Sequence, residues 1–409
     1  MKSLFEKWNS INLVNRIIAG ILLGIVFALL LPEQLSVISI FGALFIKALK
    51  AVAPILVFVL VINAISSHAS GKATNMKMVV MLYIVGTFLA GLVSVVVSYI
   101  FPTTLLLKTG TQEIAPPSGI AEVLETLLFN IVSNPLSAII EANYLGILAW
   151  ALVLGFALKA ANDTTKSVIA NLSDAVTKIV QWIISLAPLG IMGLVFETIS
   201  TTGFSSLSSY GRLVIILVGT MFFIALVVNP LLVFIVARRN PYPIVFASLK
   251  ESGIPAFFTR SSAANIPVNM ALAEKLKLNK DTYSISIPLG ATINMGGAAV
   301  TISTLTMAAA HTLGVEVDLL TAIILMALTA VSAAGASGVA GGSLLLIPLS
   351  CSLLGISDEI AMQVVAIGFI IGVLQDSCET ALNSSSDIVF TAAAEYANER
   401  KTRLERKNK

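Results

Sequence analysis

The chain has 409 residues, of which 57% are apolar and only 11% are charged, and its formal net charge is +3. Charged residues make up about 25% of soluble domains, so this composition excludes an ordinary soluble protein and indicates a polytopic membrane protein. At about 20 residues per span plus loops, eight to ten hydrophobic segments fit this length. The two cysteines and two histidines lie at no metal-ligand spacing, and we expect neither a disulfide framework nor a metal cluster.

The first half of the chain alternates apolar spans with basic loops. We predict spans at about 17–31, 38–65, 79–101, 145–158, 168–195 and 214–237, the fifth interrupted by Pro188 and Gly190. Basic residues recur at the start, near 72–77, 159–166 and 238–239, and after 399, whereas 102–144 contains only Lys108. Since basic loops remain in the cytoplasm, we expect both termini there and residues 102–144 outside.

Two later segments are hydrophobic but interrupted. Residues 246–278 contain the sequence GIPAFFTRSSAANIPVN, with Arg260 at its centre, and residues 321–354 contain a glycine- and serine-rich stretch at 332–343. Irregular backbone within a membrane is tolerated only where protein shields it. We therefore predict two re-entrant hairpins, each made of two short helices.

The first predicted hairpin tip suits an anion. Ser261 and Ser262 follow Arg260 and offer hydroxyls, and the start of the second half-helix offers free backbone N–H groups with a positive dipole end. The alternative is that these serines pack as small polar residues between helices. The second tip offers unobstructed backbone groups and hinge glycines, or alternatively a helix-packing motif of small residues.

The segment between the hairpins, residues 284–310, reads as a span with a break from Gly290 to Gly297. Unwinding around Gly290, Thr292 and Asn294 would free carbonyl oxygens beside Asp387. Carbonyls joined by one carboxylate suit a dehydrated hard monovalent cation, whereas a proton needs only the carboxylate. This pattern favours sodium over a proton as the coupling ion.

The last predicted span, 360–394, carries a polar stripe. Asp376, Thr380, Asn383 and Asp387 fall at i, i+4, i+7 and i+11, which places them on one face of a helix. A carboxylate near the bilayer centre costs roughly 2.5–3.5 kcal/mol, so two on one face imply a compensating cation or a protein counter-charge. The order of hairpin, broken span, hairpin and striped span predicts a transporter binding site at the membrane midplane.

These motifs together resemble one known family. RSS in the first tip, GATINM in the broken span, GVAGG in the second tip and DxxETxxNxxxD in the last span are similar to the dicarboxylate/amino acid:cation symporter family, the glutamate transporter group. The residues of these motifs are most similar to those of bacterial members that carry serine and threonine with sodium. The resemblance implies an all-α glutamate-transporter-like fold of eight transmembrane helices and two re-entrant hairpins, assembled as a homotrimer in the bacterial cytoplasmic (inner) membrane.

The resemblance also implies two domains. Residues 1–76 and 102–200 would form a static scaffold. Residues 77–101 and 210–409 would form a transport domain that slides across the membrane like an elevator. The expected partners are a small neutral amino acid, sodium and lipid, with no cofactor and no nucleic acid.

The family's substrate site maps onto the hairpin and the stripe. The resemblance implies that Asp376 takes the substrate ammonium, that Asn383 and the backbone of Ser261 and Ser262 take the α-carboxylate, and that Thr380 lines the pocket. One sodium would be held by the set Gly290, Asn294, Asn383 and Asp387, and another by Thr292 with carbonyls of the second tip.

Three departures from the family pattern are visible. Glu379 stands where relatives with acidic substrates carry arginine, Gly296 stands where their broken span reads N-M-D, and Ala340 replaces a proline in the second tip. Glu379 lies three residues after Asp376, so we expect its carboxylate to face the substrate side chain and to reject aspartate and glutamate. The alternative is that Glu379 pairs with Arg260 as a structural bridge.

Other functions remain open at this point. An intramembrane hydrolase could use Ser261 or Ser262 as nucleophile, but no base lies near them in the sequence. A channel would need a continuous water-lined pathway. Within the family, a proton-coupled or sodium-coupled dicarboxylate carrier is the alternative to a carrier of serine and threonine.

Overall fold

The computed structural model describes residues 11, 13–66, 75–107, 129, 132–202, 206–334 and 341–407. Outside the described residues lie the basic start of the chain, the predicted basic loop at 67–74, residues 108–128 with Lys108, and residues 335–340 of the predicted second tip, with Ala340. The described residues form helices and contain no strand.

The helices are numbered in chain order. The first nine are α1 Leu13–Leu30, α2 Ser39–Ser66, α3 Met76–Ile100, α4 Pro135–Ile140, α5 Tyr144–Leu158, α6 Asp163–Ser185, α7 Ala187–Thr202, α8 Ser206–Phe223 and α9 Asn229–Ala237. The others are α10 Tyr242–Ser248, α11 Ile254–Thr259, α12 Ser262–Lys275, α13 Lys280–Ile293, α14 Gly296–Leu313, α15 Leu319–Ala333, α16 Ile347–Leu353 and α17 Asp358–Lys407. Short π-helical turns join α8 to α9 and α10 to α11.

The apolar helices lie at the predicted membrane spans. Within the described residues, 5 helices are long and apolar enough to cross a membrane, and α6 with α7 form a sixth span bent by 52°. Four shorter apolar helices are also described: two, in α1 and α5, lie at predicted spans, and two, 319–333 and 343–353, lie in the predicted second hairpin. The prediction of an all-α polytopic membrane protein is confirmed.

The interruptions also lie close to their predicted positions. The fifth span bends at Leu186, just before Pro188, which occupies the first turn of α7 where a missing N–H is tolerated. The predicted end of that span at 195 is wrong, because α7 continues to Thr202. The last helix is also longer than the predicted 360–394, since the charged tail contains no helix breaker and α17 runs on to Lys407.

The helices pack in two bundles. In the first bundle, α1 packs against α7, and α2 packs against α5, α6 and α7. In the second bundle, α17 is central and contacts α8 to α14 and α16, while α3 packs on α14 and α15. Small residues allow close contact within the first bundle: a Cβ added to Gly24 would lie 2.6 Å from the Met192 carbonyl oxygen.

Candidate substrate and cation site

The first hairpin turns at Arg260. The helix α11 ends at Thr259, and Arg260 adopts a left-handed conformation with φ 52°. Ser261 is extended and caps α12, because its Oγ accepts a hydrogen bond of 3.2 Å from the Ala264 N–H. A non-glycine residue with positive φ is uncommon, and here it ends α11 at the turn between the two hairpin arms.

Arg260 forms a buried ion pair with Asp376. Its Nε lies 2.5 Å from Asp376 Oδ2, and the two side chains are 9% and 4% exposed. The Gly341 N–H donates to the other oxygen, Asp376 Oδ1, at 3.2 Å. Three elements therefore meet at this carboxylate: the first hairpin, the second hairpin and α17. The counter-charge that the polar stripe requires at Asp376 is supplied by the protein.

Glu379 is held by three neutral donors. Its Oε2 accepts hydrogen bonds from the hydroxyls of Thr301 (2.7 Å) and Ser343 (2.8 Å). Gln375, one turn earlier on α17, donates to the same oxygen at 2.5 Å. The alternative that Glu379 pairs with Arg260 is wrong, since Arg260 pairs with Asp376. Glu379 instead links α17 to α14 and to the second arm of the second hairpin.

The broken span supplies a second buried cluster, around Asp387. After α13 ends at Ile293, Asn294 donates through Nδ2 to Asp387 Oδ1 at 2.9 Å and to Ser386 Oγ at 2.7 Å. Asn383 Oδ1 accepts from the Gly297 N–H, at the start of α14, at 2.7 Å. The predicted break thus faces the predicted stripe.

Asp387 has one oxygen without a partner. Its side chain is 1% exposed, and among the described atoms Oδ2 is buried without a hydrogen bond. A Cβ added to Gly290 would overlap Asp387 Oδ1, so only glycine permits this approach of α13 to α17. Tyr83 of α3 closes the cluster from the other side and donates to the Ser286 carbonyl at 3.0 Å. A buried, uncompensated carboxylate oxygen beside a helix break fits a monovalent cation.

For the other predicted site residues, the structure shows local contacts within their own helices. Ser262 is buried at the start of α12, and Thr380 Oγ1 donates to the Asp376 carbonyl of its own helix at 2.8 Å. Thr292 is exposed and donates to the Leu289 carbonyl at 2.7 Å, so the structure does not bring it to Asp387. The second tip, expected to share a sodium with Thr292, lies largely outside the described residues.

A polar ladder that the sequence reasoning missed anchors the first hairpin to α17. Asn265 Nδ2 donates to Ser384 Oγ at 2.7 Å, and Asn269 Nδ2 donates to the Ser384 carbonyl at 3.0 Å. Asn265 also bonds Ser252 of the other hairpin arm at 3.1 Å. The signal was present in the sequence, because two asparagines four residues apart on an apolar half-helix share one face.

The space at the hairpin tips is small. Arg260, Gly341 and Asp376 line it from the second bundle, and Ile17 of α1 with Ile184 and Ala187 lines it from the first. Its volume of about 10 Å³ accommodates one water molecule. The cavity between the described residues is thus too small for an amino acid while Arg260 is paired with Asp376.

The sequence was also compared with known protein families. A family model described as the sodium:dicarboxylate symporter family matches residues 13–396. The match covers both bundles and includes every candidate site residue.

Proposed function

Since the chain belongs to the sodium:dicarboxylate symporter family, we propose that it imports serine, threonine and similar small neutral amino acids by symport with sodium. Members of this family are membrane transporters and not enzymes, with sodium as the coupling ion and no cofactor. The chain is accordingly a cation-coupled, multi-pass membrane transporter. The choice of substrate is our inference from the site.

The observation that carries the proposal is the buried pair of Arg260 and Asp376, 2.5 Å apart. An amino acid without a charged side chain carries one ammonium and one carboxylate. Inserted into the pair, it places its ammonium on Asp376 and its carboxylate toward Arg260 and the N–H groups at the start of α12, and every charge keeps a partner. Asn383 and Thr380 line the same face of α17.

An acidic amino acid brings a second carboxylate, which this pair does not match. Glu379 follows Asp376 by three residues on α17, and it is itself an acid held by neutral donors. The family description favours a dicarboxylate carrier as the alternative function. The replacement of arginine by Glu379 argues against that alternative for this chain.

Sodium would occupy the cluster around Asp387. Its unpaired Oδ2 would be the anionic ligand, and Gly290, Asn294 and Asn383 are the other proposed ligands. Thr292 with the second tip remains our proposal for another sodium. A cation bound at Asp387 would stabilise the junction of α13 and α14 against α17, and thereby the face of the stripe that holds substrate.

The two bundles support a sliding mechanism. We infer that the first bundle is the scaffold of a homotrimer in the bacterial inner membrane, that both termini are cytoplasmic, and that the second bundle moves across the membrane with its bound substrate and sodium. The Asn265 ladder would keep the first hairpin joined to α17 during this movement.

Competition for uptake tests the substrate assignment. In proteoliposomes with an inward sodium gradient, unlabelled serine, threonine and alanine should each suppress the uptake of labelled serine. Aspartate and glutamate should compete weakly. Aspartate that competes as well as serine would refute the assignment and favour the dicarboxylate carrier.

A further inference from the structure

An ion pair joins the two bundles. Lys50 Nζ of α2 lies 2.6 Å from Asp358 Oδ2, at the first residue of α17, and the side chains are 45% and 29% exposed. Two other ion pairs, Arg260 with Asp376 and Lys275 with Glu251, lie within the second bundle. The bond between Lys50 and Asp358 is therefore one that a relative movement of the bundles must stretch.

Lys50 lies deep in a membrane-spanning helix. It follows the first residue of α2 by 11 positions, and at 1.5 Å per residue it lies about 16 Å from that end. A charge at such a depth is costly unless it has a partner. Asp358, by contrast, is the first residue of α17. Because it pairs with Lys50, the start of α17 lies about three helical turns along α2 from the start of α2.

The cavity at the hairpin tips touches the first bundle both near the start of α1 and at the bend between α6 and α7. The cavity at Arg260 and Asp376 is lined by Ile17, which lies about one turn from the start of α1. The proposed orientation puts the start of α1 at the cytoplasmic side and the start of α2 at the outer side. With this orientation, the contact between Lys50 and Asp358 places the second bundle toward the cytoplasm relative to the first.

The interface around Asp358 retains unsatisfied polar atoms. Asp358 Oδ1 on the second bundle and the Tyr144 hydroxyl on the first are both buried without a hydrogen-bond partner among the described atoms. Buried polar groups in a permanent interface are normally paired. Their presence here is consistent with an interface that forms at one position of the bundles and separates at another.

We propose that the ion pair of Lys50 and Asp358 is a latch that holds the second bundle in its cytoplasmic position and breaks when that bundle rises. A displacement of one helical turn, about 5.4 Å, carries Asp358 beyond ion-pair distance of Lys50. The latch rests on the sliding mechanism of the proposed function, but it does not depend on which amino acid is carried.

Distance measurement between spin labels on the two bundles tests the latch. The labels would be attached to cysteines introduced at the exposed positions 163 on α6 and 274 on α12, after replacement of Cys351 and Cys378 by alanine. The full-length chain would be studied in lipid without sodium or substrate. Asp358→Asn and Lys50→Gln should each lower the ratio of the cytoplasmic to the raised position by about threefold or more, in the range of partly exposed ion pairs.

The controls separate the latch from a general effect of charge. Glu359→Gln removes the same charge from the adjacent, exposed residue and should leave the ratio unchanged. Combining Lys50→Asp with Asp358→Lys restores the pair in reverse and should restore the ratio. A ratio unaffected by Asp358→Asn, or a reversed pair that fails to restore it, would overturn the latch. Failure of serine uptake would refute the proposed substrate but would leave these distances unchanged.

Discussion

Arg260 on the first hairpin and Asp376 on α17 neutralise each other inside the protein, with Nε and Oδ2 2.5 Å apart and both side chains nearly inaccessible to solvent. The ion pair closes the tip of the first hairpin against the polar stripe. Substrate must therefore compete with Arg260 for Asp376. This competition favours a zwitterion, which can replace both partners at once.

The first prediction concerns Asp376. Removing one member of a buried charge pair typically costs about 3–5 kcal/mol, and Asp376→Asn would also leave Arg260 without its counter-charge. We expect this variant to lose serine binding measured by titration calorimetry while it still elutes as the assembled protein. Asp281→Asn, at the exposed start of α13, is the matched control and should bind normally. Near-normal serine affinity in Asp376→Asn would remove Asp376 from the site.

Asp387→Asn should weaken sodium dependence more than any other substitution at the stripe. The amide removes the negative charge from the buried, unpaired Oδ2 position. We expect the sodium concentration for half-maximal serine uptake to rise by at least about tenfold, equivalent to about 1.4 kcal/mol. An unchanged sodium requirement would contradict the assignment of Asp387 as a ligand.

The sodium stoichiometry should be lower than in relatives that carry acidic substrates. The resemblance places a third site at the aspartate of N-M-D, but here Gly296 faces α3, and a Cβ added to it would lie 3.4 Å from the Ala90 Cβ. The matching part of α3, around Met81, Leu82, Val85 and Gly86, contributes no carboxylate. Reversal potentials give the ratio of sodium to serine, and a ratio of three would refute this prediction.

Glu379→Gln should let aspartate compete better against labelled serine. Two like charges about 4 Å apart repel by roughly 4 kcal/mol at an effective dielectric of about 20, and half of that corresponds to roughly thirtyfold discrimination. Glu379 also binds Ser343 and Thr301, so it could act either by repelling acidic substrates or by holding the second hairpin in place. The substitution distinguishes these two roles. If serine affinity falls while competition by aspartate stays the same, Glu379 only holds the second hairpin and does not select the substrate.

The sequence predicted the positions of breaks and stripes better than the partners of charges. Hydropathy and helix breakers depend on local sequence, and the break after Ile293 and the turn at Arg260 lie where they were expected. The partner of Arg260 lies 116 positions away in the sequence. Both Asp376 and Glu379, on the last span, were candidates for that partner. Only the packing of the first hairpin on α17 decides between them.

Helix rotation explains other differences at the site. Thr292 lies within the predicted break, but α13 continues to Ile293 and turns the Thr292 side chain outward. Gln375 precedes Glu379 by four residues and could have been assigned to it from helical spacing. Thr301 and Ser343 come from separate elements, and no local pattern brings either of them to Glu379.

Ion-driven uptake of labelled serine into proteoliposomes tests the central claim most directly. The purified chain would be reconstituted and exposed either to an inward sodium gradient at equal pH or to an inward proton gradient in sodium-free medium. We expect serine to accumulate against its gradient in the first condition and not in the second. Full accumulation driven by the proton gradient alone would contradict this expectation.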